Sequence, residues 1–478
     1  MIVMLKVEEK FKCVYSNKFK RTHFLSSLKN KYLDGNLQEN RIFSVCGRII
    51  RKRVMGKASF LSLKDSSSVV QIYLSKNDFD NDYENIISYL SLGDIVGVKG
   101  KCFKTKTGEF SLRISYISVL SKNLKPFPDK WKGLLEKEIC YRKRYLDLMV
   151  NSKTMDTFEV RSKLIQYVRT FFLNRNYLEV ETPIIQSIPG GALARPFVTY
   201  HNYLNAKLYL RVSPELYLKR LIVGGFERVF EISKSFRNEG TSNRHNPEFT
   251  MIEFYQAYSN YKDLMILTES LFRYLCKKLN NGLILDYQGK NIDFSNSFLK
   301  LPFKDSIIKY NRNLSFDDLN DKDKLVLYMK NGGFSFSENL TLGELQFHVF
   351  EETVEKNLID PTFIIFHPVD VSPLAKSLTD DPTATERFEL YIYGREIANG
   401  FSELNDPIEQ SRRFIKQIRE KKNDNSVELH YDRDYIDALK YGLPPTAGEG
   451  IGIDRLVMLF TNSVNIKDVL LFPLMKFK

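Results

Sequence analysis

The sequence has no pair of cysteines at metal-ligand spacing: its five, Cys13, Cys46, Cys102, Cys140 and Cys276, are scattered along 478 residues. That scatter argues against a zinc cluster and against a disulfide framework, and it fits a reducing compartment, the cytosol. No apolar run reaches the roughly 20 residues that a membrane helix requires. The start, Met1 to Leu5, is too short for the apolar core of a signal peptide and runs straight into charge. Neither GxGxxG nor GxxxxGKS occurs, so an ATP site here must be of another kind than a Rossmann turn or a P-loop. Internal repeats and low-complexity tracts are missing as well.

What is present is an ordinary globular composition, 43% hydrophobic and 27% charged, with a formal net charge of +13. A surplus of that size favours a polyanionic partner through counterion release, although soluble proteins with no such partner also carry it. The first 40 residues are polar and Lys-rich with some helical character. Between Ile42 and Leu120, short period-2 runs alternate with Gly, Lys and Asp turns. In Phe60–Leu63 the leucines share one face and Phe60 takes the other. Val70, Ile72 and Leu74 point inward, leaving Gln71 and Tyr73 outside; Phe110, Leu112 and Ile114 do the same, leaving Glu109 outside. About five such strands make a small closed barrel of the oligonucleotide-binding type.

Residues 121–152, broken by Pro126-Phe127-Pro128, read as a connector. From 153 to 478 the spacing predicts an α+β domain on an antiparallel sheet flanked by helices, with 1–120 as the barrel domain. Leu164, Ile165, Val168, Phe171 and Phe172 form one helical stripe. Leu342, Leu345, Val349, Phe350 and Val354 form another.

Three constellations carry chemistry. In Phe236-Arg237-Asn238-Glu239-Gly240, a loop and then Phe249 to Tyr255, parity puts Arg237 and Glu239 on one face and Phe249, Met251, Glu253 and Tyr255 on one face of the return strand. A fixed cation, carboxylates and a flat ring on one surface suit a nucleotide; cross-strand ion pairs would give the same pattern. In Glu389 to Glu396, a tight turn near Tyr393-Gly394 makes the two glutamates neighbours on one face. Converging carboxylates call for a cation, Mg²⁺ on phosphate oxygens, unless both are simply solvated. A bulge at Asn399-Gly400 would end that parity before Glu403. In Gly448-Glu449-Gly450-Ile451-Gly452-Ile453-Asp454-Arg455, alternating glycines admit a ligand close to the backbone, and the following helix offers its N-terminus and Arg455 to phosphate.

Together these segments resemble motifs 2 and 3 of the class II aminoacyl-tRNA synthetases, and Leu178-Glu179-Val180-Glu181-Thr182-Pro183 is similar to motif 1, the dimer-forming element. The preceding barrel resembles the anticodon-binding domain of subclass IIb. The strings PGGALARPF (Pro189–Phe197), SPELYLKR (Ser213–Arg220), RHNPEFTM (Arg244–Met251) and GFSELND (Gly400–Asp406) resemble its lysine-specific members. The resemblance implies activation of L-lysine with ATP and its transfer to the 3′ end of tRNA(Lys), by a cytosolic homodimer. It implies that Arg237 holds the α-phosphate and the substrate carboxylate, Glu239 the adenine amine and Phe249 the adenine ring. Arg244, His245 and Arg455 take the outer phosphates, and Glu389 and Glu396 hold Mg²⁺. For lysine, Gly191 and Glu215 take the α-ammonium, Asn399 orients the carboxylate, Phe401 walls the stem, and Glu403 with Tyr255 receives the ε-ammonium. On the barrel, Phe60, Gln71 and Glu109 read the anticodon. The dimer is expected to form through the helix 153–175 and the strand Leu178–Pro183, with Phe171 and Phe172 in a symmetric surface. Glu449 departs from the neutral residue expected beside motif 3 glycines, so its carboxylate is expected to point away from the phosphates.

Overall fold

The computed structural model describes residue 15 and residues 17–35, 41–128, 136–337, 339–420 and 431–476; the Met1–Leu5 start and residues 129–135 of the expected connector lie outside them. The chain divides into two compact units, Met1–Gly133 and Leu134–Lys478.

In the first unit, strands β1 (Ile42–Met55), β2 (Ala58–Lys64), β3 (Val69–Ser75), β4 (Ile95–Lys104) and β5 (Phe110–Ser121) close into a barrel in the order β1-β2-β3-β5-β4. Only β3 and β5 run parallel. Alternation fills the interior with Val45, Leu61, Leu63, Val70, Ile72, Leu74, Val98, Leu112 and Ile114, all buried. Helices Leu25–Leu33 and Tyr83–Tyr89 add Leu25, Leu28, Tyr83 and Ile86 to the same core.

The second unit contains β6 (Leu178–Glu179), β7 (Ile185–Gln186), β8 (Val198–His201), β9 (Ala206–Leu210), β10 (Arg228–Phe236), β11 (Glu248–Ala257), β12 (Ile284–Tyr287), β13 (Lys290–Asp293), β14 (Leu299–Pro302), β15 (Thr362–Ile365), β16 (Arg387–Tyr391), β17 (Glu396–Ser402) and β18 (Thr446–Gly452). Eight of them form one sheet in the order β14-β15-β16-β17-β18-β11-β10-β6. Its six central strands are antiparallel, and parallel pairs occur only at the two edges. One face of the sheet packs Ile252, Phe254, Ala398 and Ile451 against helices Ser152–Leu173 and Tyr261–Leu279. The opposite face is left for a ligand.

Both predicted stripes lie on helices, Ser152–Leu173 and Leu342–Thr353; Leu164, Val168, Phe171, Phe172, Leu345, Val349 and Phe350 are buried, Ile165 and Leu342 are half-buried, and Val354 is buried just past the second helix. The expectation for Phe171 and Phe172 needs correction. Both are fully buried inside the chain, Phe172 lying 5.4 Å from Phe230 and 4.6 Å from Phe254 between ring centroids. Spacing marks an apolar face but does not say whether it meets the chain's own sheet or a second copy.

Candidate active site

β18 runs between β17 and β11, so Gly448 and Gly450 have a register partner on either side and Gly452 has one on β11. Gly448 lies opposite Phe401 and Tyr255, Gly450 opposite Asn399 and Glu253, and Gly452 opposite Met251. Asn399 in turn lies opposite Glu389 on β16. Side chains two apart share a face, so the glycines form a trench with functional groups on both banks, lining a cavity of about 650 Å³. Gly448 is fixed by this fit: a Cβ there would overlap the Tyr255 ring and Glu403 Oε1.

The hairpin β16–β17 turns at Tyr393 and Gly394, both at positive φ (53° and 62°), the primed geometry that suits strand twist. The register then slips by one residue, Tyr391 pairing with Glu396 and Leu390 with Ala398, so the bulge falls at Ile397 and not at Asn399-Gly400. That slip turns Asn399 and Phe401 toward the cavity and sends Ala398 into the core.

One end of the cavity is cationic. The Arg237 guanidinium stands 5.1 Å from the Phe249 ring centroid, and its Nε is buried without a hydrogen-bond partner. Arginine has only donors, so a buried unpartnered N–H is a position waiting for an acceptor. Arg455 donates to Glu396 Oε2 at 3.1 Å and lies 3.4 Å from His245 Nε2. Burial, with Arg455 adding to it, pushes the His245 imidazole below its usual range. Arg244 is exposed and pairs with Glu355 at 3.0 Å. Glu239 is exposed at the cavity rim.

The other end is anionic. Glu215 opens helix Glu215–Val223 and bonds Lys219 one turn later at 2.6 Å. Lys219 also pairs with Glu403 Oε2. Glu403 Oε1, beside Gly448 and Tyr255, is buried with no hydrogen-bond partner. Glu253 accepts from Ser213 Oγ at 2.8 Å and from the Tyr255 hydroxyl at 3.3 Å. Burial, reinforced by Glu215, pushes its carboxyl up to about 8. Gly191 (φ 88°) brings main chain against this group; a Cβ there would sit 3.0 Å from both Glu215 Cβ and Ser213 Oγ. Between the two ends, Asn399 Oδ1 accepts from Arg387 Nε at 3.1 Å. Because arginine cannot accept, the amide N–H groups of Asn399 are left for the cavity.

Glu389 and Glu396 both line the cavity. Glu389 is buried and holds Arg387 and the Tyr391 hydroxyl; Glu396 is half-exposed with one oxygen on Arg455. Among the described residues no cluster of three or more His, Cys, Asp or Glu could enclose a metal alone. Two carboxylates that keep spare lone pairs fit Mg²⁺, which retains water and draws its remaining oxygens from substrate phosphates.

Residues 136–476 match the model of the tRNA synthetases class II (D, K and N), and residues 43–120 that of an OB-fold nucleic acid binding domain. The chain is 52% identical to the lysine--tRNA ligase of Legionella pneumophila (strain Paris) over 463 residues, 96% of this chain and 93% of that one. It is 48% identical to the lysine--tRNA ligase of Wigglesworthia glossinidia brevipalpis over 468 residues, 97% and 95% of the two chains. The same name belongs to a Yersinia enterocolitica protein, 49% identical over 467 residues, 97% and 92%. The chain is a class II tRNA synthetase of the lysine--tRNA ligase family.

The synthetase brings Arg237, Phe249, Tyr255, Glu215, Gly191, Asn399, Phe401, Glu389, Glu396, Arg244, His245, Glu239 and Arg455 to one cavity. Glu403 stands just behind its wall. Two residues of this wall had no role assigned in sequence: Glu253, which had the right parity, and Lys219, which fell within the string Ser213–Arg220. The i, i+4 spacing of Glu215 and Lys219 was the available signal. On the synthetase's barrel, Phe60 is half-buried on the outer face, its ring 5.2 Å from Tyr73, which lies 5.7 Å from Phe103. Gln71 donates to Ser111 Oγ at 2.9 Å, and Glu109 is exposed. Tyr73 and Phe103 extend the row of rings beyond Phe60, and neither had a role assigned in sequence. Glu449 turns away from the cavity, its carboxyl meeting Thr268 Oγ1 at 2.7 Å on helix Tyr261–Leu279.

Proposed function

We propose that this chain activates L-lysine with ATP and esterifies it to tRNA(Lys), and that the cavity of the second unit is where both substrates bind. The observation that carries this reading is its polarity: an unpartnered Arg237 N–H toward one end and an unpartnered Glu403 oxygen at the other. An amino acid with a carboxylate and a distal ammonium satisfies both. An aspartate would place a second anion against Glu215, Glu253 and Glu403, where the one ammonium, Lys219, is already shared by two carboxylates.

In this reading the adenine ring stacks on Phe249, with Glu239 accepting from its amine. Arg237 sits between the α-phosphate and the lysine carboxylate, which Asn399 orients. Arg244, His245 and Arg455 hold the outer phosphates. Gly191, Glu215 and Glu253 receive the α-ammonium, Phe401 walls the stem, and Tyr255 and Glu403 receive the ε-ammonium. A carboxylate oxygen of lysine attacks the α-phosphorus in line and pyrophosphate departs, giving lysyl-adenylate. The terminal 3′-hydroxyl of the tRNA then attacks the acyl carbon and AMP departs. No covalent enzyme intermediate is needed, so positioning and fixed charge supply the rate. Mg²⁺, held by Glu389 and Glu396, would neutralise phosphate charge.

Phe60, Tyr73 and Phe103 form an aromatic surface suited to unpaired bases, with Gln71 and Glu109 as polar readers of the anticodon. A homodimer is supported by Ile184, Ile185, Val198, Tyr200, Tyr203 and Leu204, apolar residues exposed just after the motif 1 strand. Four free cysteines among the described residues support a cytosolic location, and no helix among them is long and apolar enough to cross a membrane. Pyrophosphate exchange tested with each of the twenty amino acids decides the reading: exchange only with lysine is expected, and exchange with aspartate or with none would overturn it.

A further inference from the structure

Lys219 is fully buried, and its ammonium is bonded to two carboxylates at once, Glu215 on its own helix and Glu403 after β17. A buried ammonium is costly unless its charge is matched. One carboxylate would match it, yet three stand here, since Glu253 lies behind Ser213 on the same wall. Three carboxylates against one ammonium leave two negative charges once Glu253, pushed up to about 8 in the empty pocket, has given up its proton. Lysine carries two ammonium groups.

We propose that Lys219 is a positioning residue for amino-acid selection: its ammonium holds the Glu215 and Glu403 carboxylates in place and aims them, and sets the pocket to accept a substrate with two positive charges. This rests on the reading of the pocket as the lysine site. The geometry divides the labour at Glu403: neither oxygen has a hydrogen-bond partner among the described residues, but Oε2 is ion-paired with Lys219, whereas Oε1 lies beside Gly448 and Tyr255. Lys219 thus fixes the carboxylate from behind without occupying the oxygen that faces the trench. The Phe401 and Tyr435 rings, with centroids 5.4 and 6.0 Å from its Nζ, close the remaining sides.

The ionisable groups around Glu403 are Lys219 and Glu215 on one helix, Glu253 and Tyr255 on β11, and Tyr435 on helix Arg433–Lys440. Burial alone would lower the Lys219 ammonium, but Glu215 and Glu403 hold it well above its ordinary range, so it stays charged. Burial pushes the Glu403 carboxyl up, and Lys219 is the main group pulling it back. Without Lys219 the Glu403 carboxyl is pushed up further, and lysine binding must compete with its proton.

The test is lysine-dependent pyrophosphate exchange by full-length Lys219→Met and Lys219→Gln, with the parent chain alongside, across a range of pH. The expected result is a KM for lysine raised roughly 30-fold or more, a KM for ATP within about twofold, and an acid limb of kcat/KM for lysine displaced to higher pH. Lys219→Gln can still donate to one carboxylate, so it supplies the same readouts if Lys219→Met does not fold. An unchanged lysine KM and pH limb in either folded variant, with a lysine-specific parent, would overturn the inference and leave the reading of the pocket standing. Failure of the parent to exchange with lysine would overturn the reading of the pocket itself.

Discussion

Thr268 has one hydroxyl proton and too many acceptors. Its Oγ1 lies 2.8 Å from Leu264 O and 2.7 Å from each oxygen of Glu449. If the hydroxyl donates to the backbone carbonyl, the contact with Glu449 needs a proton on the carboxyl. Burial supplies that proton, pushing Glu449 up to about 8 while the Thr268 bond pulls the other way. The folded pKa is thus above the unfolded value of about 4.3. Stability from this group is complete below the unfolded pKa and is lost as pH rises through about 8, at a slope of about 1.4 kcal/mol per pH unit between those limits. Glu449→Gln keeps a donor for Thr268 and cannot ionise. Its melting temperature should exceed that of the parent near pH 9 by more than near pH 6; equal differences at both would mean that Glu449 is already ionised in the folded chain. The expectation that this side chain avoids the phosphates was available from the sequence. The reason was not, because nothing in the glycine run points to Thr268, 181 positions away.

At the scale of elements, short motifs were legible because few residue types meet their constraints. Alternating glycines beside an Asp-Arg, or an Arg and a Phe on facing strands, announce a ligand in a handful of positions. Parity carried Glu389 and Glu396 to one face, and the Tyr393-Gly394 turn formed as expected. What parity could not supply was the bulge at Ile397, since an inserted residue looks like any other apolar strand residue. That single slip decides whether Asn399 or Ala398 faces the substrate. The same hairpin presents both proposed metal ligands, so it carries a prediction of its own. Glu389→Gln and Glu396→Gln each remove one carboxylate charge and should raise the Mg²⁺ concentration needed for half-maximal exchange. Unchanged Mg²⁺ dependence in both variants would remove these two residues from the metal site.

At the scale of the whole molecule, the two units were separable in the sequence because their periods differ, 2 in the barrel and mixed thereafter. The limit of that reading was the dimer. A buried core stripe and a buried interface stripe have the same spacing, and Phe171 and Phe172 proved to be core. The exposed apolar residues after motif 1 carry the expectation instead. Tyr203→Asp with Leu204→Asp should shift the mass measured by sedimentation toward the monomer; a parent chain that is monomeric and fully active at micromolar concentration would contradict the dimer. Division of labour between the units predicts that Phe60→Ala weakens tRNA charging, by the roughly 1–3 kcal/mol of one lost base stack, while lysine-dependent pyrophosphate exchange stays near the parent rate. Equal losses in both assays would make Phe60 a structural residue of the barrel.

Glu403 is proposed to receive the side-chain ammonium of lysine through Oε1, which has neither a hydrogen bond nor an ion pair among the described residues. Glu403→Gln preserves the shape and removes the charge, and loss of a buried charged pair costs on the order of 2–5 kcal/mol. The decisive measurement is the pair of Michaelis constants, for lysine and for ATP, in pyrophosphate exchange by this variant. A steep rise for lysine is expected, with the ATP constant almost unmoved. A rise in the ATP constant as large as that for lysine would contradict it, placing Glu403 in support of the nucleotide and not of the amino acid.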